Sequence, residues 1–179
     1  ISACLVGSEM CKETDPDMQP SLFDNLMSCG CWVKKVLDTN PYLQKVCIVG
    51  AAEKLIKALI PIMEKIKVYS ETELSHEEGW NRFSHEHLNE LVYISVDKDV
   101  LDIKSAVTNW DQGSLSLTEL EKLLSIILKK EEIIGVDICG ECSSSLDVFQ
   151  KNRELSINSK ANKELLNLFL SNQNEIHPL

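Results

Sequence analysis

The stretch LVYISVDKDVLD, residues 91–102, decides both the fold and the chemistry of this chain. Its first part is apolar, as a buried strand would be, and three aspartates follow at once. Ligands of open α/β sheets bind outside the carboxyl ends of the strands, where Asp97 and Asp99 would lie. Because the two are two positions apart, an extended backbone would direct both carboxylates to the same face. Neighbouring carboxylates are stabilised by a cation between them, so the pattern predicts a divalent metal site. The alternative is a solvated turn in which Lys98 supplies a local counter-charge.

The composition indicates one globular domain, residues 1–179, and excludes some classes of function. Hydrophobic residues make up 44% of the chain and charged residues 26%, which is typical of soluble domains. The net charge is −10, and the adjacent basic residues (Lys34 with Lys35, Lys129 with Lys130) are isolated pairs and not a stripe, which argues against nucleic-acid binding. No apolar run approaches the roughly 20 residues of a membrane span, so no membrane partner is expected.

The cysteines indicate a reducing compartment. There are seven, an odd number, and Cys47 lies inside an apolar run, as expected for reduced thiols in a cytoplasmic protein. Cys139 and Cys142 have the C-x-x-C spacing of a redox dithiol, although no thioredoxin-like context accompanies them. A redox protein is therefore a minor alternative.

Short apolar runs alternate with helical patterns along the chain. The predicted strands are 46–50, 66–69, 91–96 and 133–138, with Cys4–Val6 as a further candidate. The predicted helices are 51–63, 152–170, one that ends near residue 37, one within 71–87 and one that begins at Ser116. The helix at Ser116 carries the clearest start signal, because Glu119 completes a capping box. Continuously apolar strands that alternate with helices predict an α/β fold with a parallel sheet covered on both faces.

Several segments resemble the arginase, agmatinase and formimidoylglutamase superfamily. The 91–102 stretch resembles its S-x-D-x-D-x-x-D motif, Ser28–Cys31 resembles its S-H-G-T loop with a cysteine in place of histidine, and Gly135–Glu141 resembles the strand that ends in its substrate-facing glutamate. The resemblance covers roughly residue 16 to the C-terminus and leaves residues 1–15 as a divergent segment. It implies a three-layer αβα fold with a mainly parallel sheet, possible incompleteness at the N-terminus, and an arginase-like branch without a characterised activity.

The resemblance also implies a function. The family hydrolyses a C–N bond of guanidino or formimino compounds through a hydroxide that bridges two manganese ions. By position, Asp97 and Asp99 would be metal ligands, and Asp15 and Asp17 would occupy places in the family's D-x-H-x-D motif. Glu141 would face the cationic group of a small substrate as the catalytic acidic residue. Substrate contacts are expected from Cys29 and from Asn109, in the loop after the metal motif.

A second hypothesis follows from the same comparison of motifs. The stretch that ends at Asp17 offers carboxylates but no imidazole, unlike the family pattern. The alternative function is therefore a catalytically degraded family member with a binding or structural role. In either case we expect a cytoplasmic protein, possibly a homo-oligomer.

Overall fold

The computed structural model describes residues 2–6, 18, 31–56, 64–86, 91–110, 112–142 and 148–176. The strands within these ranges are β1 (Ser2–Val6), β2 (Lys45–Ala51), β3 (Ile66–Ser70), β4 (Leu91–Asp97) and β5 (Glu132–Cys139). They form one sheet with the order β3-β2-β1-β4-β5, and every neighbouring pair is parallel. The predicted strands are confirmed, including Cys4–Val6, which lies within the central strand.

The helices follow the strands as predicted. They are α1 (Trp32–Thr39), α2 (Glu53–Ile56), α3 (Glu71–Leu74), α4 (Glu77–Ser84), α5 (Leu117–Leu128) and α6 (Val148–Ile176). The capping box of α5 is present: the Ser116 hydroxyl accepts the backbone N–H of Glu119, and the Glu119 carboxylate accepts that of Ser116. Within the described ranges, no helix is long and apolar enough to cross a membrane.

Apolar side chains form two clusters on the two faces of the sheet. On one face, Val33 and Leu37 of α1 pack with residues of β2 and β3. On the other, the buried valines and isoleucine of β4 pack with the leucines of α5 and with Leu165 and Phe169 of α6. Because burying both faces requires helices on both sides, the result is the predicted three-layer α/β arrangement.

The strand order creates a crevice at one place on the sheet. From β1 the chain proceeds to β2 and β3 on one side, and then returns to the other side of β1 for β4 and β5. The direction of winding therefore reverses between β1 and β4. Loops diverge at such a reversal, and the space outside the carboxyl ends of the strands is where ligands of open α/β sheets bind. The end of β4 lies at this point.

Some predicted helix limits need correction. The segment 71–87 contains two short helices, α3 and α4, and α6 begins at Val148, before the predicted start at residue 152. Of the helix predicted for 51–63, residues 53–56 are helical and 57–63 lie outside the described residues. Leu155 of α6 is 49% exposed, because Glu154 and Asn158 occupy the inward positions of that part of the helix.

Candidate functional site

The predicted metal motif forms a buried turn at the end of β4. Strand geometry stops at Asp97, and Lys98–Val100 forms a single 3-10 turn. Asp97 Oδ1 accepts the backbone N–H of Asp99 at 2.9 Å and so caps the turn. The expectation that Asp97 and Asp99 leave one face of an extended strand is therefore wrong, because the backbone has already turned when it reaches Asp99.

The turn is not solvated. Asp97 is 6% exposed, and Lys98 and Asp99 are both 0% exposed. The alternative of a water-exposed loop with Lys98 as its counter-charge is thus wrong as well. Charged side chains are rarely buried unless they are paired or bind a metal, so this burial marks the turn as a specialised part of the fold.

The end of β5 lies directly against this turn. Gly140 follows the strand with φ +80°, a conformation that favours glycine. A Cβ atom at Gly140 would lie 2.6 Å from Asp97 Oδ1 and 2.9 Å from the backbone nitrogen of Lys98. Only a residue without a side chain allows β5 to approach the carboxylate of Asp97 so closely.

A second loop holds the turn from the other side. The N–H of Gly113 donates to the carbonyl of Asp99 at 2.6 Å, and that of Leu115 donates to the carbonyl of Val100 at 3.2 Å. A Cβ at Gly113 would lie 2.4 Å from the same Val100 carbonyl. The third aspartate of the motif, Asp102, accepts backbone N–H groups of residues 104 and 105 and closes the next turn. These bonds fix the backbone conformation of the predicted metal motif.

Lys98 directs its ammonium group away from solvent to Glu141, which follows Gly140. The Lys98 ammonium forms an ion pair with Glu141 Oε1 and donates to Asn162 Oδ1 at 2.9 Å. The two partners are unequal in exposure, since the side chain of Lys98 is 0% exposed and that of Glu141 is 55% exposed. The acidic residue predicted to face a cationic substrate group therefore already has a cationic partner within the chain.

Two asparagines of α6 complete the surroundings of Glu141. Asn162 Nδ2 donates to Glu141 Oε1 at 2.9 Å and Asn158 Nδ2 donates to Oε2 at 3.0 Å. Burial alone would raise the pKa of Glu141, but the hydrogen bonds from Lys98, Asn162 and Asn158 and the charge of Lys98 outweigh it and lower the pKa. Glu141 is thus held as a carboxylate at neutral pH.

Asn158 also fixes the loop after the metal motif. Its amide accepts the N–H of Val107 at 2.8 Å and donates to the carbonyl of Val107 at 2.7 Å, as a neighbouring strand would. Neither asparagine was predicted from the sequence. The available signal was their spacing, because positions 158, 161, 162 and 165 share one face of α6 and its apolar members are buried.

Asn109 and the two thiols near Glu141 lie at the rim of this region. Asn109 is exposed, and its Nδ2 donates to the backbone carbonyl of Glu141 at 3.4 Å. Cys139 and Cys142 are thiols that form no disulfide with each other, as the reduced state predicts. Cys139 Sγ lies 3.5 Å from the carbonyl of Val96, and Cys142 Sγ lies 3.7 Å from Asn158 Nδ2. The thiols therefore contact different elements, β4 and α6.

The donor atoms at this edge match one part of a divalent metal site. Carboxylate oxygens such as those of Asp97 and Asp99 are ligands that Mn²⁺ and Mg²⁺ favour. Within the described ranges, no group of three or more His, Cys, Asp or Glu side chains is arranged to hold an ion. The predicted ligands Asp15 and Asp17 and the predicted substrate contact Cys29 lie outside the described residues. Among the described residues, Asp97 and Asp99 therefore supply two carboxylates and not a complete set of metal ligands.

The sequence is similar to those of known proteins with an α/β fold of this kind. A model of the Arginase family matches residues 16–159, more than half of the chain. An uncharacterized protein of Thermotoga maritima is 36% identical over 120 residues, which are 66% of this chain and 42% of that protein.

Two solved structures have the same fold. Agmatine ureohydrolase of Thermoplasma volcanium superposes with a TM-score of 0.67 at 20% identity, over 96% of this chain and 54% of that one. Formimidoylglutamase of Bacillus subtilis superposes with a TM-score of 0.70 at 18% identity, over 96% of this chain and 53% of that one. At these identities the likeness concerns the fold alone. The chain spans about half the length of these solved proteins and less than half of the Thermotoga protein.

Proposed function

Because this chain belongs to the arginase family, we propose that it is a metal-dependent hydrolase that cleaves a C–N bond of a guanidino or formimino compound. Relatives with the same fold are an agmatine ureohydrolase and a formimidoylglutamase, whose names give these two classes of substrate. The proposal concerns the whole protein, since the chain matches only about half of each relative.

One observation carries the proposal. Asp97 and Asp99 lie at the carboxyl end of β4, beside the crevice where the winding of the sheet reverses, and both are buried. A buried pair of carboxylates is costly without a cation or hydrogen-bond donors, and this is the edge at which α/β proteins bind ligands. The pair also lies inside the segment that matches the family.

The roles of individual residues follow from their positions. We propose that Asp97 and Asp99 hold manganese together with Asp15 and Asp17, that Glu141 is the acidic residue nearest the substrate, and that Cys29 and Asn109 contact the substrate. A bound divalent metal supplies an activated water for hydrolysis at neutral pH. The chain itself supplies a rigid turn for the two aspartates and, at Glu141, a carboxylate held ionised by its hydrogen bonds.

Metal binding is the first test. Purified protein is titrated with Mn²⁺ by calorimetry, and bound metal is counted by elemental analysis. We expect the wild type to bind metal and Asp97→Asn and Asp99→Asn each to weaken binding by at least about tenfold, because each removes a charged ligand. Asp38→Asn is the matched control, since Asp38 is an exposed aspartate of α1 that pairs with Lys34.

Product formation is the second test. The metal-loaded protein is incubated with a panel of guanidino and formimino compounds, and urea, ammonia and formamide are measured. Release of one of these products by the wild type, and its loss in Asp97→Asn, would support the proposal. A protein that binds manganese but releases none of them would contradict the hydrolase function.

A binding or structural role for a degraded family member is the second candidate. The observation in its favour is the ion pair of Lys98 with Glu141, which gives the acidic residue an internal partner. This candidate predicts that the wild type takes up no metal and that Asp97→Asn changes no binding property. A cytoplasmic location and a homo-oligomeric state are proposed for either function.

A further inference from the structure

We propose that Lys98 determines the specificity of this site. Its ammonium group is paired with the Glu141 carboxylate and therefore disfavours the binding of positively charged ligands there. The inference rests on the proposed function and concerns its substrate class. Compounds whose group nearest Glu141 is neutral or anionic would be accepted over guanidinium compounds of the kind that the resemblance implies.

Among Asp97, Asp99 and Glu141, it is Glu141 that an incoming cation can reach from solvent. Asp97 and Asp99 are buried within the turn, at 6% and 0% exposure, whereas the side chain of Glu141 is 55% exposed. All three belong to the same edge of the sheet, since Gly140 links Glu141 directly to the contact with Asp97. Of these three carboxylates, the one that solvent and solutes can reach is therefore that of Glu141.

Both oxygens of Glu141 already accept hydrogen bonds from the protein. Oε1 accepts from Lys98 and from Asn162, and Oε2 accepts from Asn158. A guanidinium ion binds a carboxylate best through two parallel N–H···O bonds, one to each oxygen. Such a ligand would have to share both oxygens with internal donors, and its charge would lie close to that of Lys98.

Lys98 is not able to withdraw easily from this position. Its side chain is 0% exposed, and its backbone lies in the 3-10 turn that Asp97 caps and against which Gly140 packs. Asn162 Oδ1 accepts a hydrogen bond from the ammonium group at 2.9 Å. Because Lys98 is 0% exposed, its side chain has no contact with solvent that could replace this partner. An exposed lysine would exchange its partner readily, whereas this one is fixed before any ligand arrives.

The test uses binding without metal, so that its result is independent of the metal site. Guanidinium chloride and agmatine are titrated into EDTA-treated protein at constant ionic strength, and binding is followed by NMR chemical shifts. The proteins are the wild type, Glu141→Gln, Lys98→Met, Lys98→Gln and the double variant Lys98→Met/Glu141→Gln. Lys104→Met is the matched control, because Lys104 is an exposed lysine in the loop just after the metal motif.

We expect Lys98→Met and Lys98→Gln to bind guanidinium at least about tenfold more tightly than the wild type, since a nearby like charge is gone. The gain should disappear in the double variant, and Lys104→Met should behave as the wild type. Lys98→Gln is included because its amide retains a donor for Glu141 if the apolar variant does not fold.

Two results would overturn the inference. One is a folded Lys98 variant that binds guanidinium no better than the wild type. The other is tight wild-type binding, with a dissociation constant below about 1 mM, that Glu141→Gln abolishes; it needs no Lys98 variant and would show that Lys98 does not keep cations from Glu141. Failure of Mn²⁺ to bind in the separate titration would contradict the proposed hydrolase and would leave this binding comparison unchanged.

Discussion

Lys98 and Glu141 form an ion pair in which one partner is completely buried and the other is half exposed. The pair joins the turn after β4 to the end of β5, and Asn162 of α6 contacts both partners. Water can stabilise Glu141 after the loss of Lys98, but it does not reach Lys98 after the loss of Glu141. The two losses therefore have different effects on the free energy of unfolding. Removing Glu141 leaves an ammonium group in the interior, whereas removing the charge of Lys98 leaves a carboxylate that solvent and two asparagines still stabilise.

The first prediction compares these two losses. We expect Glu141→Ala to lower the free energy of unfolding by about 3 kcal/mol and Lys98→Met to lower it by about 1 kcal/mol. Urea unfolding followed by circular dichroism at pH 7 measures both. Equal losses, or a larger loss in Lys98→Met, would mean that Lys98 does not depend on Glu141 for its burial.

The second prediction concerns the glycine that allows β5 to approach Asp97. Gly140→Ala adds a Cβ 2.6 Å from Asp97 Oδ1 and requires a positive φ, so we expect a loss of at least about 2 kcal/mol. Gly135→Ala, within β5, is the control. There the new Cβ would meet the ring of Tyr93 at 2.8 Å, but that ring is partly exposed and φ is ordinary, so the expected loss is below about 1 kcal/mol. Similar stabilities of the two variants in urea unfolding would contradict the close approach.

The strands could be predicted from the sequence because their signal is local. The apolar runs of β2, β3, β4 and β5 identify buried parallel strands directly, and Ser116 with Glu119 marks the start of α5 within four residues. The family motif placed Asp97 and Asp99 at a strand end for the same reason. These features depend on neighbours in sequence and require no knowledge of tertiary contacts.

The surroundings of Lys98 could not be predicted in this way. Its partners Glu141 and Asn162 lie 43 and 64 positions away, so no local pattern distinguishes this lysine from a solvated one. The turn at residue 99 was missed for a different reason. Spacing by two implies one face only on an extended backbone, and the cap that Asp97 provides ends the extension first.

The third prediction tests that cap. Asp97→Ala removes the oxygen that accepts the N–H of Asp99, and we expect a loss of about 1 kcal/mol relative to Asp97→Asn, which keeps an acceptor oxygen. Both variants lack the charge, so the difference reports the hydrogen bond together with the packing of the side-chain amide. Thermal unfolding of the two proteins in metal-free buffer gives the comparison. If Asp97→Ala proves as stable as Asp97→Asn, the cap contributes nothing to the turn.

The fourth prediction concerns pH and a site distant from the metal motif. Glu86 is an ion-pair partner of Lys67 and accepts the Tyr69 hydroxyl at 2.8 Å. Burial alone would raise the pKa of Glu86, but the hydrogen bonds from Lys67 and Tyr69 outweigh it, so the pKa lies below the ordinary value of 4.5.

A carboxyl group whose pKa is lowered by folding stabilises the protein above its unfolded pKa and loses that contribution as the pH falls through the folded value. We therefore expect the stability difference between wild type and Glu86→Gln to be constant above about pH 5.5 and to shrink below about pH 4.5. Urea unfolding between pH 7 and 3 measures the difference. Glu132→Gln, at an exposed position of β5, is the surface control; a parallel decline in both variants would assign the acid sensitivity to other groups.

The fifth prediction tests the asparagine that joins α6 to the loop after the metal motif. Asn158 is 2% exposed and exchanges two hydrogen bonds with the backbone of the half-buried Val107, so a leucine there would leave that N–H and that carbonyl without their partner. We expect Asn158→Leu to lose about 2–4 kcal/mol, since each unsatisfied buried group costs about 1–3 kcal/mol. Asn167→Leu is the control, because Asn167 lies on the exposed face of the same helix.

Hydrogen exchange at the Val107 amide adds a local readout: it should become faster in Asn158→Leu while amides of β2 keep their protection. Unchanged exchange at Val107 would show that the loop is held by other contacts, and the link from α6 to this edge of the sheet would then be incidental to the position of Glu141.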